Sequence, residues 1–186
     1  MNRFAASQFP RLVFLTRGVG VGRERLTSFE LALRDAGISH VNLIRVSSIF
    51  PPRARLVSRE KGLTQLCAGG LTHCVLAENA SNEPHRMISA SIGLALPGDP
   101  GRYGYLSEHH CYGQTDEETG DYAEDLAAQM LATTLGIPFD PDSDYDERKR
   151  QYRVGRLIIR TTHIAQSAVG NRNGLWTTVL AAAVLL

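Results

Sequence analysis

Residues 42–52 read NLIRVSSIFPP, an apolar run that ends in a serine pair and a proline pair. Branched apolar residues dominate positions 41–49, which is typical of a β-strand. Pro51 and Pro52 cannot continue a paired strand, because proline has no backbone N–H to donate. The stretch therefore predicts a strand with an abrupt end, and it places Ser47 and Ser48 near that end.

A strand, a glycine-rich segment and a helix precede this stretch. Residues 11–16 are rich in strand-forming side chains and lead into three glycines within residues 18–22, which predicts a strand that runs into a tight turn. Over residues 24–36 apolar side chains recur at roughly helical spacing. We therefore expect a helix there, ended by Gly37 as a left-handed cap.

The remainder of the chain predicts several strands and a second helix. Acidic residues at 116–118 and an apolar stripe that stops at Gly136 predict that helix, and the polar residues 138–150 predict a solvated linker. The apolar segment 175–186 is shorter than the roughly 20 residues that cross a bilayer, so it predicts a buried strand or helix. Further strands are predicted at residues 63–76, 87–96, 103–112 and 154–159. Together these elements predict an α+β fold.

Length and composition predict one domain spanning residues 1–186. The chain has 43% hydrophobic and 21% charged residues and a net charge of +1, which is ordinary for a globular protein. Such balanced charge argues against nucleic acid as a partner, because nucleic-acid-binding proteins cluster Lys and Arg against phosphates. The three cysteines form no CxxC pair, which favours the reducing cytoplasm. Neither a signal peptide nor a membrane segment is predicted.

Two other patterns are candidates for functional sites. Glycines after a strand and before a helix can bind phosphate, but Gly18, Gly20 and Gly22 form G-x-G-x-G rather than the dinucleotide pattern G-x-G-x-x-G. Histidines and cysteines at 109–111 and 73–74 are of metal-ligand type, but neighbours on a strand point to opposite faces. A tight structural turn and an ordinary strand are therefore the expected interpretations, and no metal site is expected.

The residues around the serine pair indicate a function that the two serines alone do not. Alone, two serines at a strand end are turn-forming hydroxyls, yet the stretch 42–52 closely resembles the self-cleavage segment of pyruvoyl-dependent arginine decarboxylases. The resemblance extends to residues 26–37, to ISASIGLA at 88–95 and to GYLSE at 104–108. It covers most of the chain from Leu12 onward and is weaker after Asp140.

The resemblance implies a four-layer αββα sandwich and a homotrimer whose active sites lie between neighbouring subunits. It also implies that the chain, a zymogen, cuts itself between Ser47 and Ser48. The products would be a β chain of residues 1–47 and an α chain of residues 48–186. Ser48 would become a pyruvoyl group, which serves as the cofactor in place of pyridoxal phosphate or a metal.

The chemistry implied by the family assigns roles to particular residues. The Ser48 hydroxyl attacks the preceding carbonyl, the amide becomes an ester, and β-elimination with loss of ammonia leaves the ketone. Strain in the turn before the proline pair and a donor to the oxyanion would speed the first step, and by resemblance that donor is Asn42. The ketone then forms a Schiff base with the substrate amine, and Glu108 resembles the proton donor that completes decarboxylation.

The implied reaction is the conversion of L-arginine to agmatine and CO2. A guanidinium needs a carboxylate at the far end of an aliphatic slot, and the substrate-binding residues indicated are Leu26, Glu30, Leu33, Ser47 and Ile49. Glu30 stands where archaeal relatives would have an aspartate, and its extra methylene shortens the pocket by roughly 1.5 Å. The same chemistry on another amino acid, or an unprocessed trimeric binding protein, are the alternatives. Polyamine synthesis and acid resistance are both open as uses of the product.

Overall fold

The computed structural model describes residues 9–140, 145–146, 151–154 and 157–186. Within these residues the chain forms two β-sheets and three helices. In chain order the elements are β1 Leu12–Gly22, α1 Arg25–Asp35, β2 Asn42–Arg45, β3 Ile49–Phe50, β4 Arg55–Val57, α2 Arg59–Leu63, β5 Leu71–Ser81, β6 Met87–Pro97, β7 Gly104–Tyr112, α3 Asp116–Thr134, β8 Tyr145–Asp146, β9 Gln151–Val154, β10 Leu157–Val169 and β11 Trp176–Leu185.

The two sheets pack face to face and each carries a helix on its outer side. One sheet has five strands in the order β2-β5-β11-β1-β4, and the other has six in the order β3-β7-β6-β10-β9-β8. Helix α1 packs on β1 and β11, whereas α3 packs on β6, β7 and β10. The layers therefore run helix, sheet, sheet, helix, and the predicted α+β class is confirmed.

Among the described residues, the largest apolar cluster lies between the sheets. Alternate side chains of β5 and β11 face alternate side chains of β6, as strand geometry requires, and Val75, Val179, Ile88 and Ile92 are all fully buried there. Each such side chain stabilises the fold by about 1.5–3 kcal/mol. A second cluster, which includes Phe14, joins α1 to its sheet.

The turn predicted at residues 18–22 is wrong, because β1 continues through all three glycines to Gly22. The glycines serve helix packing instead. A Cβ atom on Gly18 would overlap the carbonyl oxygen of Ala32, and one on Gly20 would overlap that of Ser28. Glycine lets the backbone of α1 approach the strand closely, so the segment offers no phosphate-binding turn.

The strand predicted at 63–76 is also wrong in its first half. Residues 59–63 form the short helix α2, whose N-terminus is capped by the Ser58 hydroxyl accepting from the Lys61 N–H. A turn with Gly69 in the left-handed region (φ +77°) follows, and β5 starts only at Leu71. The single strand predicted at 41–49 is likewise divided between β2 and β3, which belong to different sheets.

Other predictions are confirmed. Helix α3 begins at a capping box in which Thr115 and Glu118 satisfy each other's backbone N–H groups, and it ends shortly before Gly136. Gly37 has φ +79°, as expected of a left-handed cap. The apolar C-terminal segment is the buried strand β11.

The last third of the chain differs from its prediction in one strand. The strand predicted at 154–159 is replaced by β9 and the much longer β10. Most of the linker predicted at 138–150 lies outside the described residues, apart from β8. None of the helices described is long and apolar enough to span a bilayer.

Candidate active site

The chain crosses from one sheet to the other at the serine pair. Just after edge strand β2, the N–H of Val46 donates to the carbonyl of Cys74 in the five-stranded sheet (3.0 Å). Just before edge strand β3, the carbonyl of Ser48 accepts from the N–H of Leu106 in the six-stranded sheet (2.8 Å). The peptide bond between Ser47 and Ser48 therefore lies between two backbone anchors, one in each sheet.

A tight turn closes around this peptide bond. The Ser47 carbonyl oxygen accepts a hydrogen bond from the N–H of Ile49 at 2.9 Å, and a bond between residues i and i+2 defines a γ-turn. Ser48 is the central residue of the turn and is half-buried, whereas Ser47 is exposed. The carbonyl that the Ser48 hydroxyl would attack is thus already polarised by a backbone donor.

The residues after the turn hold it in place. Phe50 is buried between the sheets with 3% of its surface exposed. Of the residues described from 42 to 60, only Arg53 has a positive φ (+62°), and its N–H donates to the Pro100 carbonyl at 2.9 Å. In this stretch a positive φ therefore occurs after the proline pair, where the loop turns back toward Pro100.

Glu108 lies on β7, two residues beyond the anchor of Ser48. Leu106 packs between the sheets, so by strand alternation Glu108 is on the same inner side, about 7 Å further along the strand. The carboxylate is exposed at the edge of the sandwich, but nearby protein displaces enough water to raise its pKa above the usual range. Electrostatic interactions with Arg45 and His110 partly oppose that rise in pKa.

An ion-pair chain lies beside the serine pair. The Arg45 Nη2 atom is 2.5 Å from Glu78 Oε2, and the Arg25 Nη2 atom is 4.0 Å from Glu78 Oε1. Arg45 also acts on its other neighbours: it lowers the pKa of Glu108, and it opposes the burial that raises the pKa of the Cys74 thiol to about 11. The chain links the first turn of α1 to the site.

Asn42 occupies the opposite end of β2 from the serines. Its side-chain Nδ2 donates to the Gly69 carbonyl at 2.8 Å, and its own N–H donates to the Gly70 carbonyl at 2.8 Å. Within one chain the structure therefore does not bring the Asn42 amide to the Ser47 carbonyl. The contacts of Asn42 fix the start of β2 against the turn before β5.

The predicted substrate-binding residues fall into two groups. Ser47 and Ile49 lie at the crossing, but the other three are on α1, which packs over β11 and β1, two and three strands from β2. Leu26 is 78% exposed, and the Glu30 carboxylate pairs with Arg34 of its own helix (2.5 Å). Leu33 packs between helix and sheet. Within one chain α1 does not complete a pocket around Ser48.

The histidines and cysteines weighed as metal ligands do not converge among the described residues. The one group of three potential ligands found there is Asp121, Glu124 and His163, between α3 and β10. In it the His163 Nδ1 atom is 2.6 Å from Glu124 Oε1. This hydrogen bond explains why the two side chains lie together without a metal ion. It also raises the pKa of His163.

The chain is similar to known proteins over almost its whole length. The family model described as pyruvoyl-dependent arginine decarboxylase matches residues 12–186. The chain belongs to this family. A pyruvoyl-dependent arginine decarboxylase of Nitrosopumilus maritimus is 56% identical over 174 residues, which cover 94% of this chain and 95% of the relative.

Other members of the family are similarly close. A probable pyruvoyl-dependent arginine decarboxylase of Chlorobium limicola is 59% identical over 177 residues, covering 95% of this chain and 97% of that protein. Pyruvoyl-dependent arginine decarboxylase 2 of Methanosarcina acetivorans is 54% identical with the same coverage. The likeness therefore spans both sheets and both long helices.

Sequence reasoning assigns no role to two residues of this site, Arg45 and Glu78. A signal existed, because Glu78 is the one charged residue in the stretch 74–80, just after the strand predicted at 63–76. The donor on the Ser47 carbonyl is a backbone N–H, which no side-chain pattern can reveal.

Proposed function

We propose that this protein is a self-processing carboxy-lyase that converts L-arginine to agmatine and CO2 with a pyruvoyl group made from Ser48. The observation that carries the proposal is the serine pair between two sheet anchors, with Glu108 two residues beyond one of them, in a chain of this family. The residues around Ser48 fit a pyruvoyl group at this position. Ser48 is half-buried, its flanking carbonyls are hydrogen-bonded, and a carboxyl group with a raised pKa lies on the adjacent strand.

Self-cleavage would proceed by transfer of the acyl group from nitrogen to oxygen. The Ser48 Oγ atom bonds to the Ser47 carbonyl carbon, the amide C–N bond breaks, and the hydroxyl proton passes to the nitrogen. Elimination then removes the Cα proton of Ser48 and breaks the Cβ–O bond, with the Ser47 carboxylate as leaving group. The dehydroalanine formed at position 48 tautomerises to an imine as a proton moves to Cβ. One water then hydrolyses this imine and releases ammonia, which leaves the ketone at the start of the α chain.

In the decarboxylation, the ketone would supply an electron sink for the bond that breaks as CO2 leaves. The residues of this chain would bind the substrate and handle the proton. Glu108 must be protonated to donate a proton to the substrate carbon, and its raised pKa keeps a larger fraction protonated near neutral pH. Burial of the site by a bound substrate would raise that pKa further.

The cationic end of the substrate would be bound by α1 of a neighbouring protomer. Glu30 is half-buried and Leu26 is 78% exposed on one side of that helix, so a second chain could use them to cover an aliphatic, positively charged substrate. This arrangement supports the homotrimer with sites between subunits. The cytoplasm is the proposed location, where free arginine is available.

The substrate is tested by measuring CO2 release from L-arginine, L-ornithine and L-lysine. We expect arginine to give the highest kcat/KM, and the unprocessed Ser48→Ala variant to give none with any of the three. A higher kcat/KM for ornithine would reassign the substrate to a shorter cationic amino acid and would keep the chemistry. Absence of turnover with all three would overturn the proposed function.

A further inference from the structure

The structure places a hydrogen-bond donor on the oxygen of the bond that is to be cut. We propose that the backbone N–H of Ile49 stabilises the negative charge that develops on the Ser47 carbonyl oxygen during self-cleavage. The inference rests on the proposed function and adds to it the group that assists its first covalent step. Its basis is the 2.9 Å bond between the Ile49 nitrogen and the Ser47 oxygen.

The distance suits this role. When the Ser48 hydroxyl attacks, the carbonyl carbon becomes tetrahedral and its oxygen gains negative charge while moving only a fraction of an ångström. Donors at about 2.7–3.1 Å stabilise such an oxyanion, and the turn holds this donor within that range before attack begins. The carbonyl of Ser48 is itself anchored to Leu106, so the Ile49 peptide is held from the other side.

The turn also explains how attack can start without losing the donor. Among the described residues other than glycine, only Arg53 and His85 have positive φ, so Ser48 has a negative φ. A γ-turn of this hand has a central φ of about −75°, which places Cβ on the far side of Cα from the Ser47 carbonyl carbon. The Ser48 hydroxyl cannot reach that carbon in this conformation.

Rotation of Ser48 to the γ-turn of opposite hand changes that relation. Its central φ is about +75°, and the hydrogen bond between residues i and i+2 is the same. At this φ the Cβ atom swings toward the Ser47 carbonyl carbon, while the Ile49 N–H still contacts the carbonyl oxygen. That turn is strained for a residue with a side chain, so it would be visited briefly and self-cleavage would be slow.

Asn42, the donor implied by the family resemblance, has a different position in the chain described here. Its amide is engaged with the Gly69 carbonyl at the far end of β2. Ile49 provides a donor already in contact with the scissile carbonyl. The two assignments are separable, since one depends on a side chain and the other on a backbone N–H.

The test replaces single backbone amides by esters. Full-length chain is made by cell-free translation with the α-hydroxy acid analogue of isoleucine at position 49, which removes the N–H and keeps the side chain. The matched control is the α-hydroxy acid analogue of valine at position 46. It removes a bond of similar length, from Val46 to the Cys74 carbonyl, without touching the Ser47 oxygen.

Splitting is followed over time by intact mass, which separates cleavage after Ser47 from ester hydrolysis after Ser48. We expect the ester at 49 to split at least about 10-fold more slowly than the ester at 46, since loss of an oxyanion donor costs about 100- to 1000-fold in enzymes. Both should show the same thermal unfolding midpoint within a few degrees. Chain made with ordinary isoleucine by the same method sets the reference rate.

The outcomes separate this inference from the proposed function. Equal splitting rates for the two esters, with the reference chain splitting normally, would overturn the role of Ile49 and leave the pyruvoyl chemistry intact. A reference chain that never splits would overturn the proposed function itself. If Asn42→Ala abolishes splitting while the ester at 49 has no effect, the oxyanion donor is the Asn42 amide.

Discussion

Glu108 must be protonated to donate a proton to the substrate carbon in decarboxylation. Self-cleavage does not use this proton, so the two steps should respond differently to a change at Glu108. Glu108→Gln keeps the size and the hydrogen-bonding capacity of the side chain but cannot deliver a proton. We expect this variant to split into two chains as the wild type does and to lose about 100-fold or more in kcat. Gel electrophoresis and CO2 release measure the two effects, and unchanged kcat would remove Glu108 from its role.

The charge of Arg45 sets the pH range in which Glu108 can act. Burial raises the pKa of Glu108 and Arg45 lowers it, so Arg45→Gln should raise that pKa further. A proton donor is active below its pKa, and therefore the alkaline limb of the kcat profile should move to higher pH in this variant. Arg25→Gln is the matched control, because Arg25 faces the same Glu78 carboxylate at 4.0 Å. A limb that stays in place in Arg45→Gln would contradict the electrostatic account.

Single elements differ in how well their sequence predicts them. Helix α3 is predictable because neighbouring residues determine where it starts, namely a capping box and three acidic residues in its first turn. The sequence predicts only the first half of strand β1, because glycine is used both for turns and for close backbone approach. Only the position of α1 over Gly18 and Gly20 distinguishes the two uses.

The close packing of α1 on β1 makes a prediction at this scale. Gly20→Ala places a methyl group against the Ser28 carbonyl in the helix backbone, and neither the strand nor the helix can move aside locally. Overpacking of this kind costs about 1–3 kcal/mol. The exposed Gly101→Ala should change the free energy of unfolding by less than about 0.5 kcal/mol, because the three atoms nearest to an added Cβ belong to the flexible Asp99 side chain. Denaturant unfolding measures both, and equal effects would refute the packing role.

In the serine stretch, neighbouring residues predict the strand but not the sheet that each part of it joins. Its strand character and its abrupt end were predictable from residues 41–52, but the change of sheet between β2 and β3 was not. Which sheet a strand joins depends on partners far along the chain, here Cys74 and Leu106. The position of the scissile bond between two anchors is therefore a property of the fold.

At the scale of the whole molecule, the separation of α1 from the serine crossing is the feature to explain. In a homotrimer, Glu30 of one protomer and Ser48 of its neighbour would lie in the same active site. Glu30→Ala and Ser48→Ala should each be inactive with arginine when made alone. Mixed trimers formed by coexpression should regain a measurable part of the activity, since some sites combine an intact Glu30 with an intact Ser48. Sedimentation velocity checks the trimer, and mixed trimers without activity would place both residues in one protomer's site.

The central claim is that this chain makes its own cofactor from Ser48, and the intact mass of the purified protein tests it most directly. We predict two chains, residues 1–47 and 48–186, with the larger lacking an α-amine and gaining two hydrogens after borohydride reduction. The Ser48→Ala variant should remain one chain, because the attacking hydroxyl is gone. A single wild-type chain of 20.4 kDa whose mass is unchanged by borohydride, or a Ser48→Ala chain that still splits, would contradict the account.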